Sequence, residues 1–306
     1  MQKLRAPLFG LSLVALAACD GLSPGRGTTA PVTAPPPSGE SAALKTYYAE
    51  VQRDLLARGL LRTDGGGPDT PYTPDMLARN FEQIAFYDEY ARGQGLRKSS
   101  GGAGQLRRWT GPVRLSLEFG KSVPGTQRSK DESDVGGFVT RLGGLTDHPI
   151  SMTRSRTNFH VLVMGKDDSA QLESRLRQII PGANNSTIRL FTNPPRDIHC
   201  LVAAFSDTDN DNSYRQAVAL VRAEHPDLLR KSCFHEEIAQ GLGLANDSPD
   251  ARPSIFNDDD EFALLTTHDE ALLSMLYDPR LAVGMTLDEA RPVIHLMARE
   301  KAGRLY

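Results

Sequence analysis

The residues best suited to chemistry lie between Cys233 and Asp247, in the run Cys-Phe-His-Glu-Glu-Ile-Ala-Gln-Gly-Leu-Gly-Leu-Ala-Asn-Asp. A helix turns by about 100° per residue, so Phe234, Ile238 and Leu242 form one apolar stripe, with Glu236, Gln240 and Gly243 together on the opposite side. Gly243 is free to take the left-handed conformation that ends a helix and turns the chain back. Glu237 adds a carboxyl beside that polar face, and His235 an imidazole. The plain reading of such a helix is one apolar face in a core and one polar face in water. Other candidates are poorer. Asp207-Thr-Asp209-Asn-Asp211 begins like a calcium loop, but Asn212 stands where a glycine is needed and Val218 where the closing glutamate belongs, so a solvated turn is expected. Asp258-Asp259-Asp260-Glu261 reads as an acidic loop that Arg252 could tie down. His148, His160, His199, His225 and His295 have no ligand spacing and read as structural or surface residues.

The layout from Glu236 to Asn246 resembles the metzincin branch of the zincin metallopeptidases, whose pattern is His-Glu-x-x-His-x-x-Gly-x-x-His. In that branch three histidines hold zinc and the glutamate activates its water. Aligning on Gly243 puts Glu236, Gln240 and Asn246 at the three ligand positions and Glu237 at the glutamate that acts as general base. All three histidines are replaced. A register starting at His235 meets Ala239 one turn later and yields no pair. Further on, Ser254 to Asp258, Asp269, Leu276 to Pro279 and Gly284-Met285-Thr286 resemble the approach to the methionine turn that floors a metzincin site. With Asn80-Phe81 and the strand after Trp109, the chain is similar over most of residues 70–290 to an uncharacterised family of bacterial envelope proteins grouped with the zincins. The resemblance implies a zincin-like α+β domain, with a mixed sheet, a central motif helix and a mainly helical or irregular C-terminal lobe.

Carboxylate and amide ligands form a hard-oxygen set that favours Ca²⁺ or Mg²⁺ over Zn²⁺, so zinc hydrolysis by the usual route is not expected. Three readings stay open: a non-catalytic domain of this scaffold used to bind a protein or peptide, a metal-dependent peptidase with atypical ligands such as His235 with the distant His268, and a structural envelope module without metal.

The chain start speaks to location. Lys3 and Arg5 precede the apolar stretch Leu8–Ala18, 11 residues long and short of the ~20 that span a bilayer. It reads as a signal peptide over residues 1–18. Leu16-Ala17-Ala18-Cys19 resembles the lipobox of bacterial lipoproteins, which implies acylation of Cys19 and a lipid anchor on the periplasmic side of the envelope. Asp20, after the cysteine, favours inner-membrane retention by similarity with enterobacterial sorting. Residues 19–40, rich in Pro, Gly, Ser and Thr, read as a tether to a globular domain over 41–306. Cys200 and Cys233 remain as a pair in an exported chain and are expected to form a disulfide, worth about 3.5 to 4 kcal/mol for a loop of this length. With 35 basic against 38 acidic residues and no basic run, nucleic acid is not an expected partner.

Several elements must hold these residues. Leu44, Tyr48, Val51 and Leu55 recur at helical spacing, and Gly59 weakens the end of that helix. Thr73 before Pro74 opens a second helix with stripe Leu77, Phe81 and Ile84, expected to run to about Tyr90. Residues 113–119 alternate as a half-buried strand, Phe159, Val161 and Val163 mark another, and Leu201–Phe205 is a continuously apolar run expected at the centre of a sheet. Residues 128–146 and 168–180 look helical. The order is α-α-β-α-β-α-β-α with helical and irregular material after it, in one domain.

Overall fold

A computed structural model describes residues 35–89, 99, 101–208, 211–257 and 259–302. The signal segment, Cys19, most of the tether and Tyr90 lie outside the described residues. The first helix, α1 (Gly39–Ala57), begins two residues before the expected domain start because Ser38 caps it, accepting the Ser41 amide at 3.1 Å. It ends before Gly59, which has φ +77°. In α2 (Pro74–Phe86), Thr73 accepts the Met76 amide at 3.2 Å, and proline at the first turn removes an N–H that would have had no partner. That helix stops at Phe86, short of the expected end near Tyr90. The chain turns extended at Tyr87, and the Phe86 carbonyl accepts the Gly104 amide instead.

Two short strands, β1 (Arg108–Trp109) and β6 (Ser213–Tyr214), pair in parallel. The main sheet has β2 (Val113–Phe119), β3 (Ile150–Met152), β4 (Phe159–Met164), β5 (Cys200–Phe205) and β7 (Gln216–Arg222), in the order β3-β2-β4-β7-β5. All neighbours run parallel except β5, which pairs antiparallel with β7 in the register Cys200 to Val221. The fold is therefore α+β with a mixed sheet, as the sequence led us to expect.

Both faces of the sheet are covered. Helices α4 (Ser169–Ile179) and α5 (Asn185–Thr192) lie over Leu162, Met164, Val218 and Leu220. The opposite face, with Val113, Leu115, Phe159, Val161, Val163, Ala217 and Ala219, meets α6 (Asp227–Leu242) and continues into a core shared with α2 and α3 (Gly125–Thr146). Helices α7 (Thr267–Leu276) and α8 (Leu287–Ala302) close that core as the helical C-terminal part. Cover on two faces explains why all six residues of β4 are buried, His160 among them, instead of alternating between core and solvent.

One expectation is corrected here. Leu201–Phe205 forms the edge strand β5, not a central one; the centre is β4, and β7, a strand not expected from the sequence, lies between β4 and β5. The edge strand is apolar throughout because helices flank it as well: Leu201, Ala203 and Phe205 face the α4/α5 layer, while Cys200, Val202 and Ala204 face α6.

Candidate functional site

Helix α6 carries the site, and its position follows from its apolar stripe. Phe234, Ile238 and Leu242 are all fully buried, as their spacing predicts. Close approach to the sheet needs Gly241, where a Cβ would fall 2.4 Å from the Phe159 ring. The last turn leaves carbonyls that need donors. The Trp109 indole donates to the Gly241 carbonyl at 2.9 Å and the Tyr277 hydroxyl to that of Leu242 at 2.8 Å. Gly243 then turns the chain at φ +130°, with its Cα so near the Arg107 carbonyl that a side chain would meet that oxygen at 2.6 Å. Three buried contacts thus fix the helix end before any ligand is considered.

Cys233 sits on the second turn of α6 and is bonded to Cys200, the first residue of β5, with Cα atoms 5.8 Å apart. The disulfide expected from the cysteine count is therefore present. Glu236 and Glu237 follow Cys233 by three and four residues and lie on the same side of the helix. The Cys200 sulfur and a carboxylate oxygen from each glutamate all lie within 4.8 Å of one another.

Glu237 is 3% exposed, and its Oε2 is buried with no hydrogen-bond partner among the described residues. Burial pushes its carboxyl well above the usual carboxylate range, and the negative charges of Glu236, Asp247 and Glu89 act in the same direction. Both effects favour the protonated form of this group over the carboxylate.

The remaining candidates are distributed as follows. Gln240 faces the same region and its amide donates to Asp247 at 3.1 Å. Asn246, the residue aligned with the third ligand, instead clips the loop to α2: its side chain donates to the Gln83 carbonyl at 3.0 Å and its backbone amide to that of Ile84 at 3.2 Å. Asp247 is the group that the loop brings to Gln240, and the sequence reading missed it by one position. No local signal separates the two, because the choice is set by the clip of Asn246 to the Gln83 and Ile84 carbonyls of α2.

His235 is buried against α3, its ring stacked on that of Phe138 with centroids 3.9 Å apart and planes nearly parallel, and its Nδ1 accepts the Leu265 amide at 3.1 Å. Burial, then the charges of Lys231 and Arg141, lower it to about 3. His268 lies between α2 and α7, with Nε2 3.0 Å from the Asn80 amide nitrogen. Neither histidine joins the glutamates. Met285 does occupy a turn, after Gly284 with φ +86°, and this turn is clipped to the Leu106 backbone; its sulfur accepts the Ala282 amide at 3.2 Å.

The weaker acidic candidates resolve as structure. Asp207 pairs with Arg215 at 3.3 Å and Asp211 caps the Ser213 amide at 2.8 Å, while Asp209 and Asn210 lie outside the described residues. Glu261 is gripped by Arg252 through contacts of 2.6 and 2.8 Å, as the sequence suggested, and by Arg62 at 3.2 Å; Asp258 lies outside the described residues.

The comparisons with known proteins add one finding. Residues 74–296, which include α6 and every element of the sheet, match the family described as "Protein of unknown function (DUF2927)". No curated protein and no solved structure matches the chain.

Proposed function

The chain belongs to that family of unknown function, and from its site we propose a lipid-tethered envelope domain that binds a protein or peptide at the polar face of α6 and does not cleave it through zinc. The carrying observation is the donor set. Glu236, Glu237, Gln240 and Asp247 supply carboxyl and amide groups around one helix face, whereas His235 is held on another face by Phe138 and Leu265. Among the described residues, the group of three clustered metal-ligating side chains contains no histidine.

Oxygen donors suit Ca²⁺ or Mg²⁺ better than Zn²⁺, and they equally suit the ammonium, guanidinium or amide groups of a peptide. Zincin descent of the scaffold is part of the proposal. A mixed sheet, a central helix ended by Gly243 and a methionine turn at Met285 are what the resemblance implies. All of them are packing features that persist whether or not metal is bound. A signal peptide, an acylated Cys19 and a proline-rich tether would place this domain at the periplasmic side of the membrane, with Asp20 favouring the inner one.

The test compares the oxidised wild type with Glu237→Gln on a broad peptide library with zinc added. The expected result is no cleavage by either protein. Zinc-dependent cleavage that Glu237→Gln abolishes would overturn the binding role. The anchor is tested separately by fractionation, where Cys19→Ser should leave the membrane fraction, and equal retention of that variant would defeat the lipoprotein assignment.

A further inference from the structure

The disulfide and the two glutamates share one spot, and this is not accidental to the geometry. Bonding Cys200 to Cys233 pins the first residue of β5 one helical turn before Glu236 and Glu237. The Cys200 sulfur therefore lands within 4.8 Å of an oxygen of each carboxyl. In the disulfide that sulfur carries neither a proton to donate nor a charge. It leaves the buried Oε2 of Glu237 with no partner among the described residues, a state that native structures rarely keep without a reason. The other sulfur is placed differently: Cys233 is 2% exposed and lies 3.7 Å from the His225 Nδ1.

We propose that Cys200, Glu236 and Glu237 form a binding site for a zinc-class divalent cation that becomes available when a dithiol reduces the Cys200–Cys233 bond. In the exchange, the dithiol attacks one sulfur and is itself oxidised to a disulfide, and its two electrons and two protons leave a thiol at Cys200 and another at Cys233. Cation binding then displaces the Cys200 proton, and any proton on the Glu237 carboxyl, to solvent and forms a metal–thiolate bond. One thiolate and two carboxylates leave a fourth position for water, a donor set that suits Zn²⁺ and that the oxygen-only set around Gln240 and Asp247 does not provide. The site is independent of the binding role proposed above, which concerns the oxidised protein.

Cobalt(II) is the probe, because a cobalt–thiolate bond absorbs in the near ultraviolet and reports the sulfur directly. The full chain is titrated with Co²⁺ and with Zn²⁺ in oxidised form and after reduction with a phosphine that does not itself bind the metal. The expected result is one equivalent bound with the thiolate band in the reduced protein. In the oxidised protein the band is missing and affinity is lower by on the order of 100-fold, the upper end of what disturbing a metal ligand's surroundings costs. Cys233→Ser, which keeps the thiol at position 200 without any reductant, should show the band; Cys200→Ser should not, and Glu237→Gln should weaken binding at least about 10-fold. The proposal is overturned if the band fails to form in both the reduced wild type and Cys233→Ser, if Cys200→Ser retains it, or if reduction unfolds the domain, since a redox-opened site requires a scaffold that survives without the bridge.

Discussion

Replacing Gly241 with alanine tests whether α6 is held where the site needs it. The new Cβ would lie 2.4 and 2.7 Å from two Phe159 ring carbons and 3.2 Å from a Val202 methyl. Phe159 has little room to retreat, being fully buried and stacked on Trp109 with centroids 6.3 Å apart and planes at 10°. Overpacking of a filled core costs about 1 to 3 kcal/mol. If α6 moves outward to relieve it, the Trp109 bond to the Gly241 carbonyl weakens, at about 0.5 to 1.5 kcal/mol. Alanine returns about 1 kcal/mol through its better helix propensity. The net expectation is destabilisation by about 1 to 3 kcal/mol. Gly137, in α3, is the control, because a Cβ there meets nothing within 4 Å. Gly137→Ala should stabilise by about 0.5 to 1 kcal/mol. Urea unfolding of the oxidised proteins measures both, the midpoint moving with little change in slope. If Gly241→Ala unfolded at a midpoint equal to or above that of Gly137→Ala, the tight seat of α6 against Phe159 would be refuted.

Further outcomes follow from other contacts. Arg230 and Asp131 are each 2% exposed and joined at 2.8 and 2.9 Å, locking α6 to α3; Asp131→Ala removes the buried partner and leaves the guanidinium only the exposed Asp227 carboxylate at 2.9 Å and the His225 carbonyl at 2.7 Å, so it should destabilise by about 3 kcal/mol in denaturant unfolding, the low end for breaking a buried pair. An effect below about 1 kcal/mol would show the pair to be dispensable. His235→Ala should lose about 2 to 4 kcal/mol through its contact with Phe138 and the Leu265 amide, yet leave metal content unchanged; altered metal content would make it a ligand. Burial would raise the Glu118 carboxyl, but hydrogen bonds from His160 and Arg175 outweigh it and hold the group at about 2, below its ordinary 4.5. Its contribution is therefore complete above pH 4.5 and lost as pH falls toward 2, in total about 3 kcal/mol, and acid unfolding of Glu118→Gln should converge on wild type across that window. A stability gap constant between those pH values would contradict the assignment.

Much of the frame was legible because local rules and burial agreed. The stripe Phe234, Ile238 and Leu242, the Thr73-Pro74 start, the alternation in β2 and the turn at Gly243 each depend on a few neighbouring residues, and each is found. Placement within the sheet was not legible, because an apolar run signals cover on both faces and says nothing about strand neighbours. Leu201–Phe205 is covered by helices at an edge, while Gln216–Arg222, apolar between its two ends, lies inside it between β4 and β5. The site divides in the same way. Glu236, Glu237 and Gln240 share one helix, so helical spacing foretold their grouping. The approach of the Cys200 sulfur depends on β5 meeting α6, and the choice of Asp247 over Asn246 depends on the loop being clipped to Gln83 and Ile84. Both are tertiary facts with no local signature.

The most direct test of the functional account is a zinc count on the oxidised chain after incubation with excess Zn²⁺ and removal of free metal. Oxygen donors around α6, with His235 and His268 engaged elsewhere, predict far less than one zinc per chain and no change in Glu237→Gln. Zinc retained at one per chain, and lost on substituting Glu236, Gln240 or His235, would contradict it by showing a working zinc centre in the oxidised domain.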